Sequence, residues 1–262
     1  MQSLFVSHGA PNLVLHNSAA RAFLAELGTR LTRPKAVLVV SAHFEADRPT
    51  LTSGAHPPMI YDFRGFEPEL REIVYAAPGA PDLAAEMADR LREKGFDAAL
   101  SDRGFDHGVW VPLVLAYPDA DIPVLVLSVN PGASPADHLA LGEALAPFVD
   151  DGVLVIGSGA LTHNLGEMVR GGFREDSPAP DWVREFGEWM EERARVGAVD
   201  DLIHYRERAP HAVRNHPTEE HVLPFFVALG AAGTPARAER IHTSHAYGVL
   251  QMDAYAFRPF TG

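Results

Sequence analysis

The segment AVLVVSAH, residues 36–43, decides the fold, because it is a short, almost uniformly apolar run that ends on a histidine. Two other segments have the same form, SLFVSHG at 3–9 and GVLVIGSGALTH at 152–163. Such apolar, valine-rich runs predict strands that are buried on both faces, as in a parallel sheet. Side chains just past the carboxyl ends of these strands converge on one crevice. We therefore expect the histidines that end the three runs to meet in space.

Segments with helical periodicity separate these runs and complete an alternating pattern of strands and helices. Such a pattern predicts a single α/β domain over 1–262, with a central, largely parallel or mixed sheet flanked by helices on both faces. The predicted helices cover residues 18–31, 81–95, 134–149 with Ser134 as N-cap, 180–196, and 218–231 with Thr218 as N-cap. Further strands are predicted at 97–101 and 122–129, with a closing strand or hairpin within 239–257.

The composition excludes several classes of partner and site. The formal charge of −13 disfavours nucleic acid and anionic membranes as partners. The chain has no cysteine, so a metal site must use nitrogen and oxygen ligands. The start of the chain, MQSLFVSHGAP, shows no signal peptide, and no apolar run approaches the ~20 residues of a membrane span. We expect a cytoplasmic protein that binds neither nucleic acid nor membranes. A homo-oligomer is compatible with the sequence.

Four histidines are candidate metal ligands. His8, His43 and His163 follow the three apolar runs, and His221 lies in the predicted first turn of the helix over 218–231, beside Glu220. Taken singly, His8 and His43 are better explained as histidines that are hydrogen-bonded to backbone, and His221 is equally well explained as part of a solvated acidic helix start. Together they indicate a metal-dependent enzyme, because imidazole is the commonest protein ligand of borderline transition metals.

Other polar residues are weaker candidates. His107, in the loop GFDHGVW, stands beside a carboxylate and suits proton transfer or a hydrogen bond to substrate. Arg64 and Arg103 are candidates for contact with a substrate carboxylate. Ser158 is not predicted to be a nucleophile, because Gly157-Ser158-Gly159 lacks the Gly-x-Ser-x-Gly spacing. The segments around His16, His138, His204 and His211 are polar or irregular, so these histidines are predicted to lie at the surface.

Eight motifs along the chain resemble the LigB-like class III extradiol ring-cleavage dioxygenases, most closely the DOPA-dioxygenase branch. They cover nearly the whole sequence in the order of that family, and as a set they are highly specific. They are SHGAP at 7–11, SAHFE at 41–45, PPMIYDFRGFEPEL at 57–70, YAAPGAP at 75–81, GFDHGVWVPL at 104–113, YPDADIPVLVLSV at 117–129, GSGALTHNL at 157–165 and PTEEHVLPFFVALGA at 217–231.

The resemblance implies one divalent metal per chain, Fe(II) or Zn(II). By position in the motifs, His8, His43 and His221 match metal ligands, and His163 matches either a further ligand or the acid/base histidine. His107 matches a histidine that touches substrate. We also expect Tyr61 and His245 to face the substrate. Better-known members of the class use a glutamate as one ligand, so Glu220 stays open as a ligand beside His221.

The function that this resemblance implies is the opening of a catechol-type, DOPA-like ring with O2. A zinc-dependent hydrolase on the same scaffold, or a non-catalytic binding module, is the alternative. The sequence does not decide which catechol is bound, which side of the diol is cut, or which metal is native.

Overall fold

The strands of the protein belong to one large sheet and one small hairpin. The computed structural model describes residues 3–233 and 235–259. The strands are β1 (Ser3–Ser7), β2 (Ala36–Glu45), β3 (Thr50–Thr52), β4 (Ala99–Ser101), β5 (Val124–Val129), β6 (Val153–Gly159), β7 (Ala236–His242), β8 (His245–Ala246), β9 (Leu250–Gln251) and β10 (Ala254–Pro259).

Helices connect and cover these strands. They are α1 (Ala19–Arg30), α2 (Pro81–Glu93), α3 (His107–Ala116), α4 (Pro135–Asp150), α5 (Leu165–Gly171), α6 (Asp181–Arg195), α7 (Val199–Ile203), α8 (Tyr205–Arg208), α9 (Ala212–Asn215) and α10 (Leu223–Ala231). Two short 3-10 helices cover Pro11–Val14 and Pro68–Arg71.

The large sheet is mixed, with the order β4-β3-β5-β2-β6-β1-β10-β7. The four central strands β5, β2, β6 and β1 pair in parallel. β10 and β7 extend the sheet in the antiparallel direction at one side, and β3 joins β5 through an antiparallel pair at the other. The predicted fold class is therefore confirmed, and β1, β2 and β6 direct their carboxyl ends to the same edge.

Helices pack on both faces of this sheet because the residues of its central strands alternate between two hydrophobic clusters. Val37 and Val39 of β2 belong to a cluster that includes residues of α1 and α3. Leu38 and Val40 belong to a second cluster, with residues of α2, α4 and α10. A strand that is buried on both faces needs apolar residues at every position, which is why β2 reads as a continuous apolar run.

Three predictions about local structure need correction. The segment from His107 is a helix and not a loop, and His107 is its first residue. The last predicted helix begins at Leu223 and not at Thr218, so His221 lies in the turn that precedes it. His138 is 3% exposed and not at the surface, because its Nε2 accepts from the Asn130 backbone N–H at 3.2 Å and its Nδ1–H donates to the Ser134 carbonyl oxygen at 2.8 Å.

Other expectations about the helices hold. Ser134 is the N-cap of α4, where its side chain and that of Asp137 form a capping box. In the part of the chain that the structure describes, no helix is both long and apolar enough to cross a membrane.

Candidate metal centre

Five histidines from five separate segments meet at the carboxyl edge of the parallel strands. We call them the imidazole cluster: His8, His43, His107, His163 and His221. His8 directly follows β1, His43 lies near the end of β2, and His163 follows β6 after a short turn. The pairing of β2 with β5 is irregular between Val40 and Glu45, a stretch that contains His43. Irregular pairing of this kind commonly redirects side chains next to functional sites.

The rings of the cluster are in direct contact. The ring centroid of His43 lies 4.9 Å from that of His8, 3.9 Å from that of His107 and 4.9 Å from that of His221. His163 stacks on His221 at 3.6 Å. The structure therefore brings together all four histidines that were predicted as ligands, and adds His107.

The hydrogen bonds around His8 leave its second nitrogen without a proton. Ser158 donates its hydroxyl hydrogen to the Gly108 carbonyl oxygen, so the same hydroxyl accepts from His8 Nδ1–H at 3.1 Å. His8 Nε2 consequently carries a lone pair, and it faces His43 Nε2 at 3.0 Å.

A carboxylate holds His107 in the same tautomer. Asp62 Oδ1 accepts from His107 Nδ1–H at 2.8 Å and from the His107 backbone N–H at 3.2 Å. Asp62 Oδ2 lies 3.8 Å from His43 Nδ1. Burial alone would raise the pKa of Asp62, but the hydrogen bond from His107 holds it below its ordinary value. The carboxylate is thus ionised at neutral pH.

His221 has a carboxylate partner as well. Its Nδ1 lies 3.0 Å from Glu220 Oε1, and Glu220 in turn accepts from the Thr218 hydroxyl at 3.1 Å. Neither ring nitrogen of His163 has a hydrogen-bond partner among residues 3–233 and 235–259. His163 and Glu220 line an open cleft together with Asn164.

Burial keeps four histidines of the cluster neutral, namely His8, His43, His163 and His221. It lowers the pKa of His43 to about 3 and that of His163 to about 4. Burial, followed by the charges of the neighbouring histidines, lowers the pKa of His8 and of His221 well below the ordinary value. At pH 7 each of these four is therefore an imidazole with a lone pair, the form that binds a metal.

The donor atoms fit a divalent transition metal. Two nitrogens that each bind one ion at about 2.0–2.1 Å lie about 2.9–3.4 Å apart, and His8 Nε2 and His43 Nε2 are separated by 3.0 Å. The potential ligand atoms fall into two groups in which all members lie within 4.8 Å of one another. One group is His8, His43 and His107, and the other is His163, Glu220 and His221. Nitrogen-rich sites of this kind suit zinc and iron.

Two glycines allow the segments of the cluster to approach closely. A Cβ at Gly159 would lie 2.0 Å from the His221 carbonyl oxygen, and the next residue, Ala160, donates its backbone N–H to that oxygen at 2.9 Å. A Cβ at Gly108 would lie 2.8 Å from Ser41 Oγ. Only glycine permits these close contacts, one with the His221 backbone and one with the Ser41 side chain, which join the end of β6 to the His221 turn and the start of α3 to β2.

The segment that carries His43 is fixed by a buried polar network. Arg103 Nη2 donates to the His43 carbonyl oxygen at 2.8 Å and lies 3.3 Å from Asp106 Oδ2. Asp106, which is fully buried, accepts from the Ser41 hydroxyl at 2.7 Å. Arg103 therefore positions His43, and its contact with a substrate carboxylate stays a prediction.

The two residues expected to face substrate lie outside the cluster. Tyr61 packs edge-on against Trp110, and its hydroxyl donates to the Ile73 carbonyl oxygen at 2.8 Å. His245 is exposed and lines a cleft of about 490 Å³ that also contains Gly9, the neighbour of His8, and Tyr247. The described contacts place neither side chain against the five imidazoles.

Comparison with known proteins assigns this geometry to a family. The family described as the catalytic LigB subunit of aromatic ring-opening dioxygenase matches residues 7–257. The chain belongs to this family. The predicted LigB-like membership is thereby confirmed, and with it the predicted class of enzyme, the non-haem metal-dependent extradiol dioxygenases.

Individual relatives of this LigB-family chain extend over almost its whole length. The 4,5-DOPA dioxygenase extradiol of Beta vulgaris is 41% identical over 98% of this chain and 96% of its own. The protein of the same name from Portulaca grandiflora is 40% identical over 98% and 95%, and that of Escherichia coli strain K12 is 36% identical over 88% and 85%. A crystal structure of an uncharacterized protein from Escherichia coli K12 superposes with a TM-score of 0.79, at 30% identity and with 98% and 99% of the two chains covered.

Sequence reasoning missed two members of the LigB-family site. Asp62 lies in a loop with no periodic pattern, and nothing in that loop predicts where its side chain points. The spacing around Ser158 excludes a nucleophile and predicts no other role, whereas the structure makes Ser158 the hydrogen-bond partner of His8. The available signal is that a serine and a histidine both lie at strand ends: Ser158 is opposite Val6 in the β1–β6 pair, and His8 is two residues beyond Val6.

Proposed function

We propose that this protein is an extradiol dioxygenase that opens a catechol-type ring with O2, using one divalent metal held by the imidazole cluster. The observation that carries the proposal is the convergence of five histidines from five segments on one sheet edge, where His8, His107 and His221 are buried and His43 and His163 are half-buried. Membership of the LigB family supports it. Fe(II) is the metal that ring opening with O2 calls for, and the nitrogen-rich donor set also accepts Zn(II).

His8 and His43 are the two ligands that we assign first, because their Nε2 atoms lie 3.0 Å apart. We propose His221 as the third ligand. It is 5% exposed, it is neutral, and Glu220 holds its Nδ1, which is the outer-shell arrangement usual for metal-binding histidines. His107 is the alternative third ligand, since its donor atom groups with those of His8 and His43.

When bound, the metal supplies positive charge that favours the ionised form of a diol. His163 is neutral and has a free ring nitrogen at the cleft, so we assign it to accept a phenol proton and to return a proton later. His107 presents Nε2 as a hydrogen-bond acceptor toward the diol, because Asp62 holds its other nitrogen.

The proposed substrate is a small aromatic diol, with DOPA as the first compound to test. Three relatives with near-complete coverage are named 4,5-DOPA dioxygenase extradiol. Tyr61 and His245 remain proposed substrate contacts. The product would be a muconic-semialdehyde-type acid. Location in the cytoplasm, homo-oligomer formation and the absence of nucleic-acid and membrane partners stay predictions.

The test is anaerobic loading with Fe(II), followed by addition of DOPA or catechol under air. We expect a yellow product and consumption of O2, both absent from protein loaded with Zn(II) alone. The matched control is the His8→Ala variant treated in the same way. Full iron occupancy without ring opening of any catechol tested would contradict the proposal. Hydrolysis of esters or amides by the zinc form would instead support a hydrolase.

The third ligand is decided by metal content. Under the assignment made here, His221→Ala loses the metal and His107→Ala keeps it. The reverse result would make His107 the ligand and leave the enzymatic proposal intact.

A further inference from the structure

Asp62 is a carboxylate that reaches two histidines of the cluster from a loop outside the sheet edge. Its side chain is 20% exposed. One oxygen lies 2.8 Å from His107 Nδ1, and the other lies 3.8 Å from His43 Nδ1. The loop joins β3 to the 3-10 helix at Pro68–Arg71, so it belongs to none of the five segments that carry the cluster.

The contacts of Asp62 fix both the ring and the backbone of His107. Oδ1 accepts from the ring Nδ1–H and from the backbone N–H at the start of α3. A ring held at both points has one orientation and, in its neutral form, one tautomer, with the hydrogen on Nδ1 and the lone pair on Nε2. In the absence of this carboxylate, the neutral imidazole would distribute its proton between the two nitrogens.

The residues beside Asp62 hold the loop in place. Tyr61 is anchored by its hydrogen bond to the Ile73 carbonyl oxygen. Phe63 packs edge-on against His107, with ring centroids 6.1 Å apart, and also contacts Trp110. The carboxylate is therefore presented to His107 by a loop that is fixed on either side of it.

We propose that Asp62 is a positioning residue of the reaction, which sets the tautomer and orientation of His107 and places one negative charge behind His43 and His107. The effect on turnover rests on the proposed function, since His107 is assigned to contact the diol. Without Asp62, the His107 side chain is still present, but its Nε2 can carry the hydrogen and present N–H to the diol instead of a lone pair. The charge that Asp62 contributes also offsets part of the positive charge of the metal.

The experiment compares Asp62→Ala and Asp62→Asn with Glu72→Ala, a change of an exposed carboxylate on the neighbouring turn. In Asp62→Ala, we expect kcat to fall about 10–100-fold, as for other outer partners of site histidines. Asp62→Asn should fall less, because its amide oxygen still accepts from Nδ1–H. Glu72→Ala should match the wild type. Added formate should restore part of the activity of Asp62→Ala only.

A second readout does not depend on turnover. Long-range ¹H–¹⁵N spectra of the zinc-loaded protein report the tautomer of each histidine. We expect a pure Nδ1–H form of His107 in the wild type and a mixture in Asp62→Ala. If Asp62→Ala does not fold, Asp62→Asn replaces it in the test. This variant removes the negative charge, and we expect its kcat to be lower than that of the wild type.

The outcomes separate the two proposals. An unchanged tautomer of His107 together with wild-type kcat in the folded variant would overturn the role of Asp62. If the wild type itself opens no catechol ring, the proposed function fails, while the tautomer measurement still decides whether Asp62 positions His107.

Discussion

Ser158 and His8 form a one-directional hydrogen bond, in which the serine hydroxyl accepts from His8 Nδ1 at 3.1 Å. The direction follows because the only hydroxyl hydrogen of Ser158 is donated to the Gly108 carbonyl oxygen. Both side chains are buried, at 0% and 2% exposure. The end of β6 thus determines which nitrogen of the residue after β1 is available to a metal.

Removal of this hydroxyl should weaken metal binding. In Ser158→Ala, His8 Nδ1–H loses its acceptor and Nε2 is no longer held unprotonated, so we expect the affinity for Zn(II) to fall about 10–100-fold. Competition with a chromogenic chelator measures this affinity. Ser53→Ala, which removes a hydroxyl that donates to the Ser101 carbonyl oxygen far from His8 in sequence, is the control. Equal affinities of the two variants would rule out the orienting role of Ser158.

The two histidines whose Nε2 atoms lie 3.0 Å apart, His8 and His43, should be indispensable for the metal. His8→Ala and His43→Ala each remove a donor that the cluster does not replace, so we expect loss of the bound ion after dialysis. Elemental analysis of metal per chain measures the outcome. His56→Ala, a change at an exposed histidine, should keep full metal content. Stoichiometric metal in both ligand variants would disprove the assignment.

His163 should matter for rate and not for metal content. Its free ring nitrogen at the cleft is assigned to proton transfer, so His163→Gln should lower kcat by about 10²–10⁴ while metal content stays at the wild-type level. Steady-state kinetics and elemental analysis on the same sample provide the two values. His211→Ala, an exposed change, is the control. Metal loss in His163→Gln would show instead that this histidine is a ligand.

The pH dependence of stability should contain a contribution from His216. Burial lowers the pKa of His216 to about 4, and its Nε2–H donates to the Leu161 carbonyl oxygen at 2.7 Å. The unfolded chain takes up a proton near pH 6.5, which the folded chain does not bind until about pH 4. The contribution of His216 to stability is therefore fully present above pH 6.5. The free energy of unfolding falls as the pH drops from 6.5 to 4, by up to about 1.4 kcal/mol per pH unit.

His216→Gln tests this contribution, because glutamine places a donor near the position of Nε2 without a titrating group. Urea denaturation of the metal-free protein between pH 7.5 and 4.5 should give a shallower fall for His216→Gln than for the wild type. His204→Gln, at an exposed histidine, should follow the wild type. Parallel curves for all three proteins would show that His216 titrates normally in the folded chain.

The strand ends could be predicted from sequence because the physics that forms them is local. A run such as Val37–Val40, with every residue apolar, has few alternatives to a buried strand, and parallel strands share one functional edge. This was sufficient to predict that His8, His43 and His163 meet. Ser134 was predictable for the same reason, since a capping box is complete within four residues.

The errors lie where tertiary contacts override local signals. The helix that begins at His107 is apolar on every side and contains Pro112, so it shows no amphipathic period. Thr218 resembles an N-cap, but the helix begins at Leu223 with Pro224 in its first turn. The position of Asp62 depends on side-chain contacts of Tyr61 and Phe63 across the loop, and no sequence spacing encodes these contacts.

The wide separation of the five histidines along the chain has a consequence for biogenesis. The donors stand at positions 8, 43, 107, 163 and 221, and the backbone at Gly159 touches that at His221. A nascent chain emerging from the ribosome presents the first two donors long before the last. The metal is thus bound late, after the whole polypeptide has folded. No early folding fragment contains all the ligands, so none can bind the metal in its complete coordination environment.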